Sequence, residues 1–252
     1  MCTPAELTAF KRKLARVDPI LANLVRAAGK FTHVPNEEHT PFHTLARAIA
    51  HQQLNGIAAE SIFGRFCGLY SSGEQAVALL EAELVLDTPD EKLRACGLSF
   101  AKIAGIKDLA AKTLAGVVPP YEILHTLENE EIIERITQVR GIGRWTVEMM
   151  LMFRMGRPDV LPVDDFGVRN GFRLAYGLRG MPTTRALAEF GERWAPFRSV
   201  AAWYLWRAVE LHKAGKLPPP SMPTRIKLVR KKKAAKKKVA RPKRAKKNAR
   251  KA

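Results

Sequence analysis

The chain has 252 residues, of which 46% are hydrophobic, and a formal net charge of +19 at pH 7. This length and apolar content are those of a globular protein with a sizeable core in one or two compact units. Residues 225–252 contain 16 Lys or Arg and no Asp or Glu, which leaves +3 for residues 1–224. The commonest partner of such a dense polycation is nucleic acid.

Several protein classes are excluded by the composition. The three cysteines are scattered, so neither a disulfide framework nor a cysteine metal site is indicated. Residues 1–24 carry charges among their apolar residues, unlike a signal peptide, and no later run is long enough to span a bilayer. We therefore expect an intracellular protein without membrane contact, located in the cytoplasm or nucleoid of a bacterium or in the nucleus of a eukaryote.

The first clear helix is predicted where Phe42, Leu45, Ala46 and Ile49 recur at helical spacing. Strict alternation of apolar and polar residues is nearly absent, so the sequence predicts an all-α fold. Further helical runs are predicted after Gly56 and over residues 74–83, 101–114, 130–139, 145–154, 165–176, 184–194 and 199–213.

Three consecutive prolines at residues 218–220 end the predicted globular part. We divide the chain there into a folded body, residues 1–217, and a Pro-led, Lys/Arg-rich tail, residues 218–252. The tail lacks the apolar residues needed for a core and is expected to be disordered on its own. We interpret it as a segment that raises non-specific affinity for DNA.

Residues 136–146, with the sequence ITQVRGIGRWT, join two predicted helices through a tight Gly-x-Gly turn. Glycines permit positive φ angles and let backbone N–H groups approach a phosphate, and the N terminus of the second helix adds free donors and a positive dipole end. Alone this turn is a weak signal, because many helix ends contain it. We expect a DNA-binding hairpin formed by Gly141, Ile142, Gly143, Arg144 and Thr146.

A second motif, LPVDDFGVR at residues 161–169, follows the hairpin after a helix and a Gly/Pro-containing loop. With GIGRWT at residues 141–146 and ERWAPFRS at residues 192–199, the chain resembles the helix-hairpin-helix (HhH-GPD) DNA glycosylases, in particular their 3-methyladenine DNA glycosylase II-like branch. The resemblance covers roughly residues 35–215. It implies two helical subdomains with a cleft between them, double-stranded DNA as the partner, a monomer, and no small-molecule cofactor.

The paired aspartates Asp164 and Asp165 are the candidate catalytic residues. Hydrolysis of an N-glycosidic bond builds positive charge on the sugar, and preorganised charge that stabilises it is typically worth roughly 3–4 kcal/mol. An aspartate before a helix is also a favoured N-cap, and the two roles are compatible. The alkyladenine branch places the carboxylate at Asp165, whereas the pattern of the oxidised-base branch selects Asp164. We favour Asp165 and keep Asp164 as the alternative.

The resemblance also implies which chemistry is missing. In glycosylases that cut the strand, a lysine at the position of Trp145 forms a Schiff base with the sugar, and tryptophan has no such nucleophile. We therefore expect a monofunctional enzyme. The sequence after the body has no four-cysteine cluster, so no iron–sulfur centre is expected.

A nucleotide that is flipped out of the duplex leaves a gap that a wedge residue must fill. The resemblance places the wedge at Gln53, with Leu54 as the second choice. The alternative is that Gln52 and Gln53 cap a helix and that Leu54 belongs to the core.

The flipped base needs a stacking surface, and an electron-rich aromatic face attracts a cationic alkylated purine. The resemblance places Trp145 and Trp206 at the pocket, with Met149 where a tyrosine often stands. We add Phe166 because it lies beside the catalytic turn in the sequence. Trp206 has core packing as its alternative, and we expect Trp203 to belong to the core.

Relatives often hold an alkali-metal ion on hairpin carbonyls, which correspond here to those of Thr137, Val139 and Ile142. No side-chain metal site is expected. His39 and His43 have no acidic or cysteine companions, so we expect both at the surface or at helix caps.

The sequence therefore predicts a monofunctional glycosylase of base excision repair that flips and releases alkylated purines of the 3-methyladenine and 7-methylguanine type. One alternative is a glycosylase of the same fold that acts on uracil, hypoxanthine or a mismatched base. The other is a DNA-binding protein without catalytic activity.

Overall fold

The computed structural model of the protein describes residues 3–71 and 80–221. Within these residues the chain forms α-helices and one short 3-10 helix but no strand, so the predicted all-α fold is confirmed. The α-helices are α1 (Pro4–Val17), α2 (Pro19–Ala28), α3 (Pro41–His51), α4 (Gly56–Gly68), α5 (Ala82–Asp87), α6 (Asp90–Ala95), α7 (Phe100–Leu114), α8 (Tyr121–Leu124), α9 (Asn129–Ile136), α10 (Arg144–Phe153), α11 (Phe166–Ala175), α12 (Thr184–Gly191) and α13 (Arg198–Lys213), and the 3-10 helix is Glu192–Trp194.

The helix boundaries follow from capping residues in the sequence. At the start of α1, Thr3 and Glu6 form a reciprocal capping box, which satisfies two otherwise free backbone donors. At the end of α11, Gly177 adopts φ +62°, which halts the helix where the sequence predicts. The other side-chain N-caps are Asp18, Thr40, Asn55, Ser99, Asp165 and Thr183.

The predicted helices agree most closely with the observed ones from α7 onwards. The runs predicted over residues 101–114 and 199–213 correspond to α7 and α13. The run predicted over residues 74–83 falls largely on residues 72–79, outside the described part of the chain, and α5 begins at Ala82. The sequence analysis did not predict α1, α2, α6 and α8. Charges interrupt the apolar pattern of α1, and α6 and α8 are very short.

The helices form two subdomains around one continuous apolar core. The first contains α1, α2, α11, α12 and α13, so it joins the two ends of the body. The second contains the central helices, in which α7 packs against α3, α5 and α6, and α10 packs against α9 and α3. The predicted arrangement of two helical subdomains is confirmed.

A buried aspartate ties the first subdomain together. The carboxylate of Asp18, between α1 and α2, accepts hydrogen bonds from the Tyr176 hydroxyl at 2.6 Å and the Trp194 indole at 2.8 Å. Its other oxygen accepts the backbone N–H of Leu21 at 3.1 Å. Buried polar groups with a full set of partners fix a single arrangement of the elements that carry them.

Helices α11 and α13 pack closely because α11 carries two glycines on the shared face. A Cβ at Gly171 would overlap with the carbonyl oxygen of Leu205, and a Cβ at Gly167 would lie 2.7 Å from the Trp206 ring. At both positions the space is too small for any residue other than glycine. The close approach sets Trp206 beside the N terminus of α11.

The predicted boundary at residue 217 stays a prediction. The described chain continues to residue 221, and a Cβ at Gly177 would lie 3.0 Å from the ring of Pro220. The basic residues of the predicted tail lie outside the described part of the chain, in residues 222–252. Within the described ranges, no helix has the length and apolar character needed to cross a bilayer.

Candidate active site

Asp165 is held by three N–H donors at the N terminus of α11. One carboxylate oxygen accepts the backbone N–H of Val168 at 2.7 Å and the indole N–H of Trp206 at 2.8 Å. The other accepts the indole N–H of Trp145 at 2.9 Å. The two indoles belong to α10 and α13, so helices of both subdomains orient one carboxylate. Asp165 is therefore both the predicted N-cap and a residue in contact with two of the predicted aromatic residues.

Asp164 has a different environment. It is exposed, and its carboxylate forms no hydrogen bond with another residue of the described chain. Its negative charge instead helps to raise the pKa of Glu148. The geometry thus separates the two aspartates and favours Asp165 as the preorganised one.

Trp206 lies at the junction of Asp165 and the cleft. Its ring is half-buried and packs on Phe153 of α10 at a centroid distance of 5.5 Å. Gly167 leaves the space that this ring occupies. Trp203, predicted to be a core residue, packs its ring on Phe31 at 5.1 Å and contacts the core.

An open cleft of about 540 Å³ lies between α3 and α10. Trp145, Met149 and Phe153 form its wall on α10, at intervals of four residues that place them on one helix face. The other wall comes from α3 and the turn after it. The full lining is Thr44, Leu45, Arg47, Ala48, His51, Gln52, Gln53, Trp145, Thr146, Met149, Met150, Phe153 and Arg154.

The predicted base pocket is only partly assembled in this cleft. Trp145 and Met149 line it, and Trp206 contacts its wall through Phe153. Phe166 does not line it: as the first residue of α11 it has a side chain that is 70% exposed. A position beside Asp165 in sequence does not place it beside the cleft, because the helix turns its side chain outward.

The cleft contains charged residues that the sequence analysis missed. Arg47 pairs with Glu60 at 2.7 Å, whereas the guanidinium of Arg154 donates to the carbonyl of Asn36 at 3.2 Å and has no carboxylate partner among the described residues. Arginines scattered along a sequence give no local signal. Phe153 did have one, since it continues the four-residue spacing of Trp145 and Met149.

The turn between α3 and α4 carries the predicted wedge. Gln53 is exposed, lines the cleft and adopts φ +58°, the left-handed region that side chains other than glycine rarely occupy. The alternative that Leu54 belongs to the core is wrong, because its side chain is 41% exposed. Gln52 ends α3 and donates its side-chain N–H to the carbonyl of Gly141 at 2.8 Å.

The hairpin adopts the predicted turn between α9 and α10. Gly141 has φ +84°, and Gly143 precedes α10 without a side-chain cap, which leaves the first N–H groups of that helix to a ligand. Ile142 is buried and donates its N–H to Val139, so its side chain is part of the core. Thr146 lines the cleft one turn into α10.

Arg144 does not offer a free side chain to a phosphate. Its guanidinium pairs with Glu130 at 2.5 Å and with Glu148 at 3.0 Å. Burial raises the pKa of Glu148 to about 7, against the opposing effect of Arg144. The assignment of Arg144 to the DNA-binding hairpin stays a prediction: in the structure its side chain joins α9 to α10, and the hairpin offers backbone donors.

The histidine prediction is wrong for one of its two residues. His43 is buried, its ring stacks on His39 at 4.1 Å, and burial lowers its pKa to about 4. The four-residue spacing of His39 and His43 does not indicate whether either side chain is buried. In the part of the chain that the structure covers, no group of three or more His, Cys, Asp or Glu residues is placed to hold a metal ion.

The sequence matches a known family over most of the folded body. A profile of the family described as HhH-GPD superfamily base excision DNA repair protein covers residues 46–196. DNA-3-methyladenine glycosylase 1 of Schizosaccharomyces pombe is 41% identical over 208 residues, which are 81% of this chain and 89% of that protein.

Two solved structures share the fold. One is the Schizosaccharomyces pombe 3-methyladenine DNA glycosylase in complex with abasic DNA, with a TM-score of 0.69, 40% identity and coverage of 81% of this chain and 97% of the other. The second is DNA-3-methyladenine glycosidase from Bacillus halodurans, with a TM-score of 0.72, 34% identity and coverage of 81% and 90%. The chain therefore belongs to the HhH-GPD superfamily of base excision DNA repair proteins.

Proposed function

We propose that this protein is a monofunctional DNA glycosylase that releases alkylated purines from duplex DNA. The observation that carries the proposal is the carboxylate of Asp165, oriented by the indoles of Trp145 and Trp206 next to an open cleft. The relatives named 3-methyladenine glycosylases support the same substrate class.

The arrangement supplies what glycosidic hydrolysis requires. As the base leaves, positive charge develops on the deoxyribose, and a fixed carboxylate stabilises it without reorganisation. The Asp165 oxygen that accepts only the Trp145 indole retains a lone pair for the sugar or the attacking water. Trp145 cannot form a Schiff base, so the product is an abasic site in an intact strand.

Access to the glycosidic bond requires extrusion of the nucleotide from the stack. We assign this step to Gln53, the exposed residue of the turn after α3, which lies on the same cleft as Trp145. The flipped base enters between that turn and the aromatic wall of α10. Its positive charge, delocalised over the alkylated ring, is attracted to the indole faces.

The hairpin anchors the duplex through backbone donors of Gly143 and the first turn of α10. An alkali-metal ion on the carbonyls of Thr137, Val139 and Ile142 would add a bridge to the phosphate. We expect the protein to act inside the cell, as a monomer, and without a further cofactor.

A second candidate function is the release of hypoxanthine, and Arg154 favours it. Hypoxanthine presents O6 and N7 as paired acceptors, the pattern that an arginine binds with two N–H groups. Arg154 lines the cleft and donates to the carbonyl of Asn36 but has no carboxylate partner among the described residues. A neutral base avoids the repulsion that a cationic purine meets beside this guanidinium.

The deciding experiment is base release by the purified chain from duplexes containing 7-methylguanine, hypoxanthine or uracil. We expect free 7-methylguanine, an alkali-labile abasic site, and no strand cleavage before alkali. Release of hypoxanthine alone would replace the first candidate with the second. DNA binding without release of any base would leave a non-catalytic DNA-binding protein.

A further inference from the structure

Helix α7 contacts two elements that face the duplex in the proposed function: the last turn of α3, which leads into the wedge turn, and the hairpin loop. The wedge turn is residues 52–55, and the hairpin loop is residues 137–143. Lys102 of α7 donates to the carbonyl of Ala50, just before the wedge turn, at 2.7 Å. Further along α7, Asp108 accepts the backbone N–H of Arg140, in the hairpin loop, at 2.6 Å. One helix thus holds the end of α3, two residues before the wedge turn, and the hairpin loop, each through a side-chain bond to a backbone group.

A second residue of α7 strengthens its contact with the hairpin loop. Lys112 of α7 pairs with Asp108 at 2.7 Å and donates to the carbonyl of Gln138 at 2.7 Å. Between the two anchor points, a Cβ on Gly105 would lie 3.0 Å from the carbonyl oxygen of Arg140 and 3.5 Å from the Ile49 side chain. Because no larger residue fits without a shift, α7 approaches the hairpin and α3 at the same place.

The two loops also touch each other directly. The side-chain N–H of Gln52 donates to the carbonyl of Gly141 at 2.8 Å. The next residue, Gln53, has the left-handed φ of +58°, a conformation that persists only when its surroundings enforce it. The hydrogen bond from Gln52 holds the residue before Gln53 against the hairpin loop.

We propose that Gln52 and Asp108 are positioning residues that couple phosphate binding by the hairpin loop to the insertion of Gln53 into the duplex. The inference rests on the proposed function. When the hairpin binds a phosphate, the Gln52–Gly141 hydrogen bond and the α7 anchors set the depth of Gln53 in the duplex. Unstacking a base costs a few kcal/mol. A wedge residue whose backbone is not held in place stabilises the flipped state less and offsets less of that cost.

The test compares a base-paired lesion, which must be flipped out, with an unpaired lesion, for which flipping costs less. Base release is measured for the wild type, Gln52→Met and Asp108→Asn on 7-methylguanine paired with cytosine and on 7-methylguanine opposite an abasic-site analogue. Gln52→Met keeps the length of the side chain but removes its donor. Asp87→Asn, an exposed site on α5, is the control for the loss of one negative charge.

We expect kcat/KM on the paired lesion to fall about tenfold in both variants, because Gln52→Met deletes one hydrogen bond and Asp108→Asn replaces the charged acceptor of Arg140 and Lys112 with a neutral one. On the lesion opposite the abasic analogue we expect a change of less than about twofold, because little flipping work remains. Fluorescence of 2-aminopurine placed beside the lesion reports flipping independently of hydrolysis and should rise less in both variants than in the wild type.

Equal losses on both substrates, or no loss on either, would overturn the coupling. If Asp108→Asn lowers the unfolding temperature, the result for Gln52→Met alone tests the coupling. The Gln52–Gly141 hydrogen bond is exposed, so we expect its loss to leave the fold intact. Absence of release by the wild type on either substrate would refute the proposed function instead. In that case an unchanged 2-aminopurine signal in Gln52→Met would separately refute the coupling.

Discussion

The indole N–H of Trp145 donates to the carboxylate of Asp165 at 2.9 Å across twenty residues of sequence. Trp145 lies in the first turn of the helix after the hairpin, and Asp165 caps the helix that follows. The helix to which the proposed function assigns phosphate binding and the residue to which it assigns the sugar are therefore joined by one hydrogen bond.

The two neighbouring aspartates should respond very differently to the same substitution. Asp165→Asn removes the charge that three N–H donors hold in place, and we expect base release in a single turnover to fall by about 100-fold or more. Asp164→Asn changes an exposed carboxylate, so we expect a change of less than about threefold. A larger loss in Asp164→Asn than in Asp165→Asn would reverse our assignment.

The donors to Asp165 can be tested without removal of an aromatic ring. Trp206→Phe keeps most of the stacking surface but deletes the N–H that Asp165 accepts at 2.8 Å. A hydrogen bond to a charged group contributes about 1.5–3 kcal/mol, so we expect a loss of roughly 10- to 100-fold in kcat. Trp203→Phe is the matched control, since Trp203 packs on Phe31 away from Asp165. Equal activity of the two variants would contradict an orienting role for Trp206.

The sequence could predict those parts of the site that depend on local pattern. The Gly-x-Gly turn and the N-cap Asp165 are local, so both were predicted before any fold was known. Tertiary neighbours decide the rest. The side chain of Arg144 is occupied because Glu130 comes from a different helix, and Phe166 is exposed because α11 rotates it away from the cleft. No pattern within one segment contains that information.

Because α11 packs so closely on α13, we expect a single added methyl group at their interface to destabilise the fold strongly. Gly171→Ala would drive its Cβ into the carbonyl of Leu205, which is backbone and cannot rotate away. We expect the free energy of unfolding to fall by about 3 kcal/mol or more. Gly64→Ala is the control: its site in α4 is open, so we expect a gain of about 0.5–1 kcal/mol. Urea denaturation measures both, and a neutral Gly171→Ala would show that the two helices can separate.

The basic residues 225–252 predict a salt-dependent contribution to DNA affinity. Their 16 positive charges displace counterions from the duplex, and each phosphate neutralised adds about 0.9 to the slope of log affinity against log salt. A chain that ends at residue 224 should bind undamaged duplex more weakly and with a shallower slope. Its rate of base release at saturating DNA should equal that of the full chain. Loss of that rate at saturation would show that the segment acts in the reaction itself.

Stability should depend on pH through the buried His43. Burial, followed by the charges of His39, Arg154 and Arg47, lowers its pKa from 6.5 to about 4 in the folded chain. Below pH 6.5 the unfolded chain therefore binds a proton that the folded chain does not, and the free energy of unfolding falls as the pH drops towards 4. Glu148 acts in the opposite direction, because its pKa is raised to about 7 and protonation stabilises the folded chain as the pH falls through that value.

Because these two groups oppose each other, the informative quantity is the difference between wild type and His43→Phe. The variant keeps a ring to stack on His39 but has no proton to gain. Between pH 7.5 and pH 5 we expect the wild type to lose about 1–2 kcal/mol relative to the variant, since each pKa unit corresponds to about 1.4 kcal/mol. Urea denaturation at constant ionic strength measures this, and His212→Phe, an exposed site near the end of α13, controls for the loss of an imidazole. A difference that stays constant over this range would mean that His43 takes up its proton in the folded chain, and that its ring is open to water.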